Sequence, residues 1–501
     1  MPPAPRPLPN PVRLADIAAL LSTPVPDAQA GLLVSGVSLD SRAVLPGDVF
    51  AALPGHATHG SRFAEDVVRL GAVAILTDPT GATSCTGLGV PVLVVDDPRG
   101  WLGGVAALVY GFPGSQMQLI GITGTNGKTT VAAMVESGLR SAGRTTGMIG
   151  TVGVRIVDRS YGGLRTTPEA TDLHALLGVM RDEGVTSVVM EVSSIAIDEH
   201  RIDGVIYDIA AFTNLSQDHL DYHGTMERYF AAKATLFNPT RTRRAVIGVD
   251  DEWGRRLADG VAVDTDTWSA VGGDADWSIV DGEDGHVIVG PDGERQPVVV
   301  ALAGAFNLAN ALCAYVILRR AGVAPDAAAR GISTATVPGR MQRVGKRSDV
   351  IGIVDYAHSP DAIERVLESV RPADPSSRVI AVLGAGGDRD TTKRPQMGAI
   401  AARLSDLIVI TDDNPRSEDP AAIRAAIRSG AAAVSSGVRA EVLEEGDRAA
   451  AITVAVARAR AGDVVVVLGK GHEQGQEVAG VMTPFDDVTV LSEALAGRAG
   501  R

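Results

Sequence analysis

Runs of apolar, largely β-branched residues recur along the chain, and between them stand segments with apolar positions three and four apart. The first pattern reads as buried strands and the second as helices. Near the start, "VRLADIAALL" has helical spacing, and "GVSLDSRAVLPGDVFAAL" reads as two strands around a Pro-Gly turn. "AVAILTD" and "PVLVVDD" predict further strands, with a helix at "SRFAEDVVRLGA". A strand from Met117 then opens a second alternating stretch, in which "TSVVMEVSS", "IYDIAAFTNLS" and "RRAVIGVDDE" are the clearest later strands. The third stretch is the most regular: "VIGIVDYAH", "RVIAVLGAGG", "SDLIVITDDN", "RAEVLEEG" and "DVVVVLGKGHE", with helices such as "SPDAIERVLESV" between them. Such alternation implies α/β architecture with a parallel sheet covered on both faces.

Breaks at Pro113-Gly114 and Pro338-Gly339 divide the chain. The expected units are a flexible proline-rich tail at 1–14, a small α/β domain at 15–112, a central domain at 113–338 and a third domain at 339–501. Four strands of the third unit end in polar clusters, at 355–358, 384–390, 412–416 and 469–473. Open α/β sheets bind ligands beyond the carboxyl ends of their strands, so these clusters predict a binding face.

Composition narrows the function. With 501 residues and 45% hydrophobic content there is material for several cores. A net charge of −14 and only 4% aromatic residues argue against a nucleic-acid or anionic-membrane surface. An anionic ligand must therefore be met by local cations and backbone N–H groups. The two cysteines, Cys85 and Cys313, lie far apart in apolar contexts and read as buried small residues. No apolar run reaches membrane-spanning length and the start lacks a signal-peptide core, so a cytoplasmic location is expected.

The strongest chemical signal is "GITGTNGKTT" at 121–130, a strand feeding a glycine-rich turn that ends in Lys-Thr. Gly124 and Gly127 permit tight turns, Lys128 supplies a point charge, and the Thr129 hydroxyl suits Mg²⁺. A helix starting near Thr129 adds its N-terminal dipole. The spacing is one residue longer than the common phosphate loop.

Downstream, "MEVSS" puts Glu191 at the end of a buried strand, where a carboxylate is costly unless a cation meets it. "NLSQDHLDYHG" gathers Asp218, His219, Asp221 and His223. Zinc would require cysteines or a third ligand that is not evident, and oxygen-rich surroundings beside a phosphate loop favour Mg²⁺. Lys233 in "YFAAKATLF" reads locally as a lysine snorkelling to solvent. "GAGGDRD" fails as a dinucleotide fingerprint because Arg389 occupies the third glycine position. In "DDNPRSEDP", Arg416 follows Pro415 on a turn and suits bidentate carboxylate binding.

Taken with "GAFNLAN", "PGRMQ", "VDYAHSPDAI", "GAGGDRDTTKRPQMG" and "GKGHE", these motifs resemble the Mur ligases, specifically the branch that adds diaminopimelate. The resemblance spans about residues 39–473 and accounts for the loop spacing, since the family's loop is Gly-Thr-x-Gly-Lys-Thr. It implies an N-terminal UDP-binding domain, a central phosphate-loop ATPase domain with a mainly parallel sheet, and a C-terminal Rossmann-like domain. The implied reaction activates the side-chain carboxylate of D-Glu in UDP-MurNAc-L-Ala-D-Glu as an acyl phosphate, which the amine of diaminopimelate then attacks.

Roles follow by position. Gly124, Thr125, Asn126, Gly127, Lys128, Thr129, Thr130, Asn307, Arg340 and Asp355 would bind ATP. Thr129, Glu191, His219 and Lys233, the last as a carbamate, would hold Mg²⁺, with Lys128, Lys233 and His219 in the catalytic set. Leu39, Ser41 and His56 would lie near the uridine end, and Thr166, Thr167, Ser193 and Arg201 near the acyl peptide. Arg389, Asp413, Asn414, Pro415, Arg416, Gly469 and Glu473 would receive diaminopimelate. Ile195 stands where the family often has His, which bears on the peptide contacts. The resemblance implies small-molecule substrates and a monomer. The alternatives are the same ligation with L-lysine or LL-diaminopimelate and, more remotely, folate polyglutamylation, which "LDSR" and "DNPR" disfavour.

Overall fold

The computed structural model describes residues 5–499 apart from 56–57, 163–164, 284, 301, 303, 346–347 and 436–439. The strand Gln118–Thr123 lies inside an eleven-stranded sheet, with Ser187–Glu191 on one side and Ile209–Phe212 on the other, both parallel to it. Thr146–Gly150, Arg244–Gly248 and Asp264–Ser269 extend the parallel run, and antiparallel strands close both edges. From Gln118–Thr123 the chain first builds one flank and later the other. That reversal opens a crevice at the strand's carboxyl end, where the glycine-rich loop begins.

Both faces of this sheet are covered, which is why its strands read as continuous apolar runs. Helices Lys128–Ser141, Ala305–Arg320 and Pro325–Thr334 pack on one face. Ala170–Asp182 and Met226–Ala234 pack on the other. Ala305–Arg320 carries no amphipathic stripe, because residues 311–318 are each 0% exposed and the helix is buried on all sides.

The third unit has a six-stranded sheet in which Ile351–Asp355, Val464–Leu468, Val379–Leu383, Leu407–Ile410 and Glu441–Glu444 run parallel in that spatial order. The four polar clusters follow four adjacent strands and so share one edge of the sheet. Near the start of the chain, Gly36–Ser38 and Asp48–Ala52 are parallel neighbours, not arms of a hairpin. The Pro-Gly turn lies inside a short crossover between them. No described helix is long and apolar enough to cross a membrane, and Cys85 and Cys313 are both buried and free.

The expectation of a flexible start is corrected for residues 5–13. Arg6 Nη1 reaches both oxygens of Asp48 at 2.7 and 2.8 Å, and its Nη2 donates to the Ala43 carbonyl at 3.1 Å. Val12–Arg13 pairs with Leu33–Val34, and Leu8 N donates to Asp182 at 3.3 Å. The reason is electrostatic: the Asp48 side chain is 2% exposed, and a carboxylate so buried draws a cation even from a proline-rich segment. Arg6→Ala should therefore cost about 2 kcal/mol of stability, since it leaves a buried carboxylate without its cation. Urea unfolding of the two proteins measures this, and coincident midpoints would refute the anchoring role.

Candidate active site

The glycine-rich loop turns directly from strand to helix. Gly127 has φ +90° and a Cβ there would lie 2.4 Å from Asn310 Oδ1, so only glycine fits. Thr125 N donates to the Asn214 carbonyl at 2.9 Å and Asn126 N to Asn214 Oδ1 at 3.0 Å, which ties the loop to the end of Ile209–Phe212. Thr130 is buried in the first turn of the helix.

Two lysines converge on this loop. Lys128 Nζ donates to the carbonyls of Gly124 and Thr125, each at 2.9 Å, and Lys233 Nζ donates to the same Gly124 carbonyl at 2.9 Å. Lys233 is 1% exposed and its ammonium lies 4.6 Å from the centre of the Tyr229 ring. Snorkelling is thus excluded: the helix Met226–Ala234 turns this lysine inward. Burial drives the Lys233 amine well below its ordinary value, and the neighbouring charge of Lys128 adds to the shift. Lys128 is lowered too, again chiefly by burial.

Glu191 stands beside them, 1% exposed. Its Oε2 accepts from Thr129 Oγ1 at 2.9 Å and from Thr151 Oγ1 at 3.0 Å, while Oε1 accepts from Thr151 N at 2.8 Å. Thr129 and Glu191 form a hard, oxygen-only donor pair next to the glycine-rich loop, the donor chemistry that would suit Mg²⁺. Among the described residues, no three His, Cys, Asp or Glu side chains form a group that could hold a metal ion. His219 caps Leu220–His223 in the left-handed conformation, with Nε2 3.6 Å from Asp218, whereas His223 bonds Ser194 Oγ at 2.9 Å. Asp221 is in the same short helix.

The third unit closes over the loop. Arg340 stacks 4.4 Å from the Tyr356 ring centre and its Nη2 reaches Thr129 Oγ1 at 3.4 Å. Asp361 Oδ2 accepts from Asn126 Nδ2 at 2.8 Å and Ser216 Oγ at 3.1 Å. Asp355 accepts from the amides of Met341 and Ala357 at 2.7 and 2.8 Å and is pushed up by burial. Asn307, buried, accepts from Asn310 at 3.0 Å, the residue that packs against Gly127.

Thr166, Thr167 and Ser193 form one patch with Glu191. Thr166 Oγ1 lies 3.1 Å from Thr151 Oγ1, and Thr167 Oγ1 donates to the Glu191 carbonyl at 2.9 Å and accepts from Ser193 N at 3.1 Å. Arg201 pairs with Glu169 at 3.1 Å and with Glu199. Leu39 and Ser41 follow the strand Gly36–Ser38 in the first unit. His56 lies outside the described residues.

At the strand ends of the third sheet, Asp413, Asn414 and Glu473 come together around Lys470, which follows Gly469 and which the motif reading passed over. Lys470 is 0% exposed; its Nζ donates to Asn414 Oδ1 at 2.8 Å and the Gly475 carbonyl at 2.7 Å, and lies 3.3 Å from Asp413 and 3.6 Å from Glu473. Asn414 Nδ2 donates to Glu473 at 2.8 Å. The Glu473 carboxyl is raised by burial and then by Asp413, with Lys470 opposing. Arg416 has φ +53°, held by its amide on the Glu477 carbonyl and by its carbonyl accepting from Ala479 N, at 3.1 and 2.7 Å. Its guanidinium donates to the Gly387 carbonyl at 2.7 Å and lies 3.6 Å from Glu477. Backbone pairing thus holds the turn that Pro415 enters. Arg389 is exposed on the adjacent loop.

Asp361, Thr151, Lys470 and His472 were not singled out as site residues in the sequence. Lys470 and His472 lay within the quoted "GKGHE", and only the burial of the first and the contact of the second with Thr151 give them weight.

Fold and site together define a three-domain α/β enzyme built around a phosphate loop. Residues 33–110 match the Mur ligase family catalytic domain, 122–318 the Mur ligase middle domain and 339–471 the Mur ligase glutamate ligase domain. The chain is 52% identical over 499 residues to a UDP-N-acetylmuramoyl-L-alanyl-D-glutamate–2,6-diaminopimelate ligase of Streptomyces coelicolor, covering 97% of this chain and 98% of that one. It is 48% identical to the protein of the same name in Corynebacterium glutamicum, covering 92% of each. A solved structure of such a ligase superposes with a TM-score of 0.67 at 32% identity, covering 98% of this chain and 99% of the other. The chain belongs to the Mur ligase family.

Lys470→Met should cost about 2 kcal/mol at neutral pH, because it leaves the buried Asp413 carboxylate and the half-buried Glu473 carboxylate without their cation. Glu473, already raised, would rise further, so the native state gains a proton more readily than the unfolded state and the loss shrinks as pH falls through that value. Unfolding at pH 7.5 and at pH 5.5 measures the difference; equal losses would show that packing, not charge, is responsible.

Proposed function

We propose that this protein joins meso-diaminopimelate to the D-glutamate side chain of UDP-MurNAc-L-Ala-D-Glu at the expense of ATP, in peptidoglycan precursor synthesis. The observation that carries the reading is the bonded series Arg340–Thr129–Glu191–Thr151, which sets the phosphate loop against the third unit's ligand-binding edge. A carboxylate resists amine attack, so its oxygen must first leave as phosphate. Lys128 and the loop amides hold the phosphoryl groups and offset charge as it develops. Thr166, Thr167 and Ser193 hold the peptide next to Glu191, with Arg201 alongside, and Leu39, Ser41 and His56 serve the uridine end. Asn307, Arg340 and Asp355 hold the nucleotide.

Thr129, Glu191 and His219 would hold Mg²⁺, which when bound neutralises phosphoryl oxygens. Lys233 joins that set as a carbamate. Burial, and then the charge of Lys128, favour its neutral amine, the form that adds CO₂, forming an N–C bond with loss of a proton. The product anion also relieves the repulsion from Lys128. The enzyme works as a monomer in the cytoplasm.

Arg416 selects the amino acid. Diaminopimelate differs from lysine by a second carboxylate, which takes the place that Glu477 holds beside the guanidinium. Asp413, Asn414 and Glu473, set by Lys470, receive the ammonium end, with Gly469 and Arg389 lining the approach.

The decisive test is product formation from UDP-MurNAc-dipeptide, ATP and either diaminopimelate or lysine. The wild type should prefer diaminopimelate, and Arg416→Ala should lower the ratio of specificity constants by about 2–3 kcal/mol, roughly 30- to 150-fold. A wild type that prefers lysine, or an unmoved ratio, refutes the assignment. Separately, Lys233→Ala should lose most activity and regain part of it with short-chain carboxylates. Full activity of that variant in bicarbonate-free buffer would refute the carbamate.

A further inference from the structure

One residue joins the two chemical halves of the site. Thr151 holds both oxygens of Glu191 through its amide and hydroxyl, and its hydroxyl also meets Thr166. Its carbonyl is left facing the third unit, where His472 Nε2 meets it at 3.0 Å. A carbonyl can only accept, so the imidazole proton sits on Nε2. The other nitrogen, Nδ1, is buried without a hydrogen-bond partner. Burial and the charge of Arg340 hold this histidine at about 4, so it is neutral at working pH.

His472 is itself closely framed. Its ring packs 5.3 Å from the Tyr356 ring, on which Arg340 stacks. A Cβ on Gly339, at the boundary between the central and third units, would lie 2.1 Å from His472 N. The contacts form a closed circuit: His472 to Thr151, Thr151 to Glu191, Glu191 to Thr129, Thr129 to Arg340, Arg340 to Tyr356, and Tyr356 back to His472. Immediately after His472 comes Glu473, and two residues before it lies Lys470.

We propose that His472 is a positioning residue of the ligase, whose Nε2–H on the Thr151 carbonyl holds the amino-acid-binding loop in register with the carboxylate Glu191 and the activated acyl group. This rests on the reaction proposed above. The consequence is specific to the second half-reaction. Thr151 keeps hold of Glu191 without His472, and Asp361 and Arg340 still dock the third unit on the phosphate loop. Activation therefore survives loss of the imidazole. What is lost is the fixed position of Glu473 relative to the acyl carbon, and small misplacement of a nucleophile lowers its effective concentration steeply.

Hydroxylamine separates the two halves. Its nitrogen attacks the acyl carbon and gives up a proton to solvent, the carbon–oxygen bond to phosphate breaks, and phosphate leaves with a hydroxamate formed, all without the amino-acid loop. In the full-length enzyme with UDP-MurNAc-dipeptide and ATP, His472→Ala should keep hydroxamate formation within about threefold. Its kcat/KM for diaminopimelate should fall about tenfold, the scale of one lost hydrogen bond. His472→Gln, whose amide can donate from the same place, should recover most of that loss. His472→Leu keeps bulk against Tyr356 without a donor and should behave as the alanine variant does, which preserves the test if alanine unfolds the chain. Equal loss in both assays, no loss in either, or a glutamine variant no better than leucine would overturn the proposal. A wild type that forms hydroxamate yet never uses diaminopimelate would instead overturn the reaction on which it rests.

Discussion

The side-chain nitrogens of two lysines, Lys128 and Lys233, share one carbonyl oxygen, that of Gly124. Like charges buried side by side are costly, and one peptide dipole does not compensate them. Glu191 raises Lys128 and Asp218 raises both lysines, but desolvation dominates each. The crevice at the end of Gln118–Thr123 therefore favours negative charge beside the two lysines. The glycine-rich loop, the inward turn of Met226–Ala234 and the clasp of the third unit all serve this one concentration of charge.

The opposite arrangement holds at the edge of the third sheet. There the carboxylates of Asp413 and Glu473 are gathered around a single buried cation, Lys470, with Asn414 bridging. The crevice with its two lysines belongs to the central unit and the carboxylate cluster to the third. This suits a reaction in which a phosphorylated acyl group on one side meets an amine on the other. The bonds that cross the boundary, from Asp361, Arg340 and His472, set their separation.

Much of the fold was legible because covered parallel sheets demand apolar β-branched runs, and a run such as "DVVVVLG" or "RVIAVLG" allows little else. The phosphate loop was legible because its glycines and lysine answer to backbone geometry and charge that are local. The pairing of Gly36–Ser38 with Asp48–Ala52 was not, since strand direction depends on neighbours distant in sequence. Nor was the anchored start: nothing within "PRPLPN" says that Arg6 will find Asp48, a residue 42 positions away. Lys233 was ambiguous for the same reason, as a lysine in an apolar helix reads as exposed until the packing around it is known.

The sequence by itself determined the three-part α/β plan, the phosphate loop and the identity of the residues at the strand ends, because each depends on short-range pattern. Tertiary structure alone decided which of those residues are buried and which meet. It turned Lys233 inward, made Lys470 the centre of a cluster, and carried His472 across 321 positions to the carbonyl of Thr151. Burial and long-range contact are properties of the packed chain. They arise only when separate sheets dock, and no local run of residues encodes which surfaces will face each other.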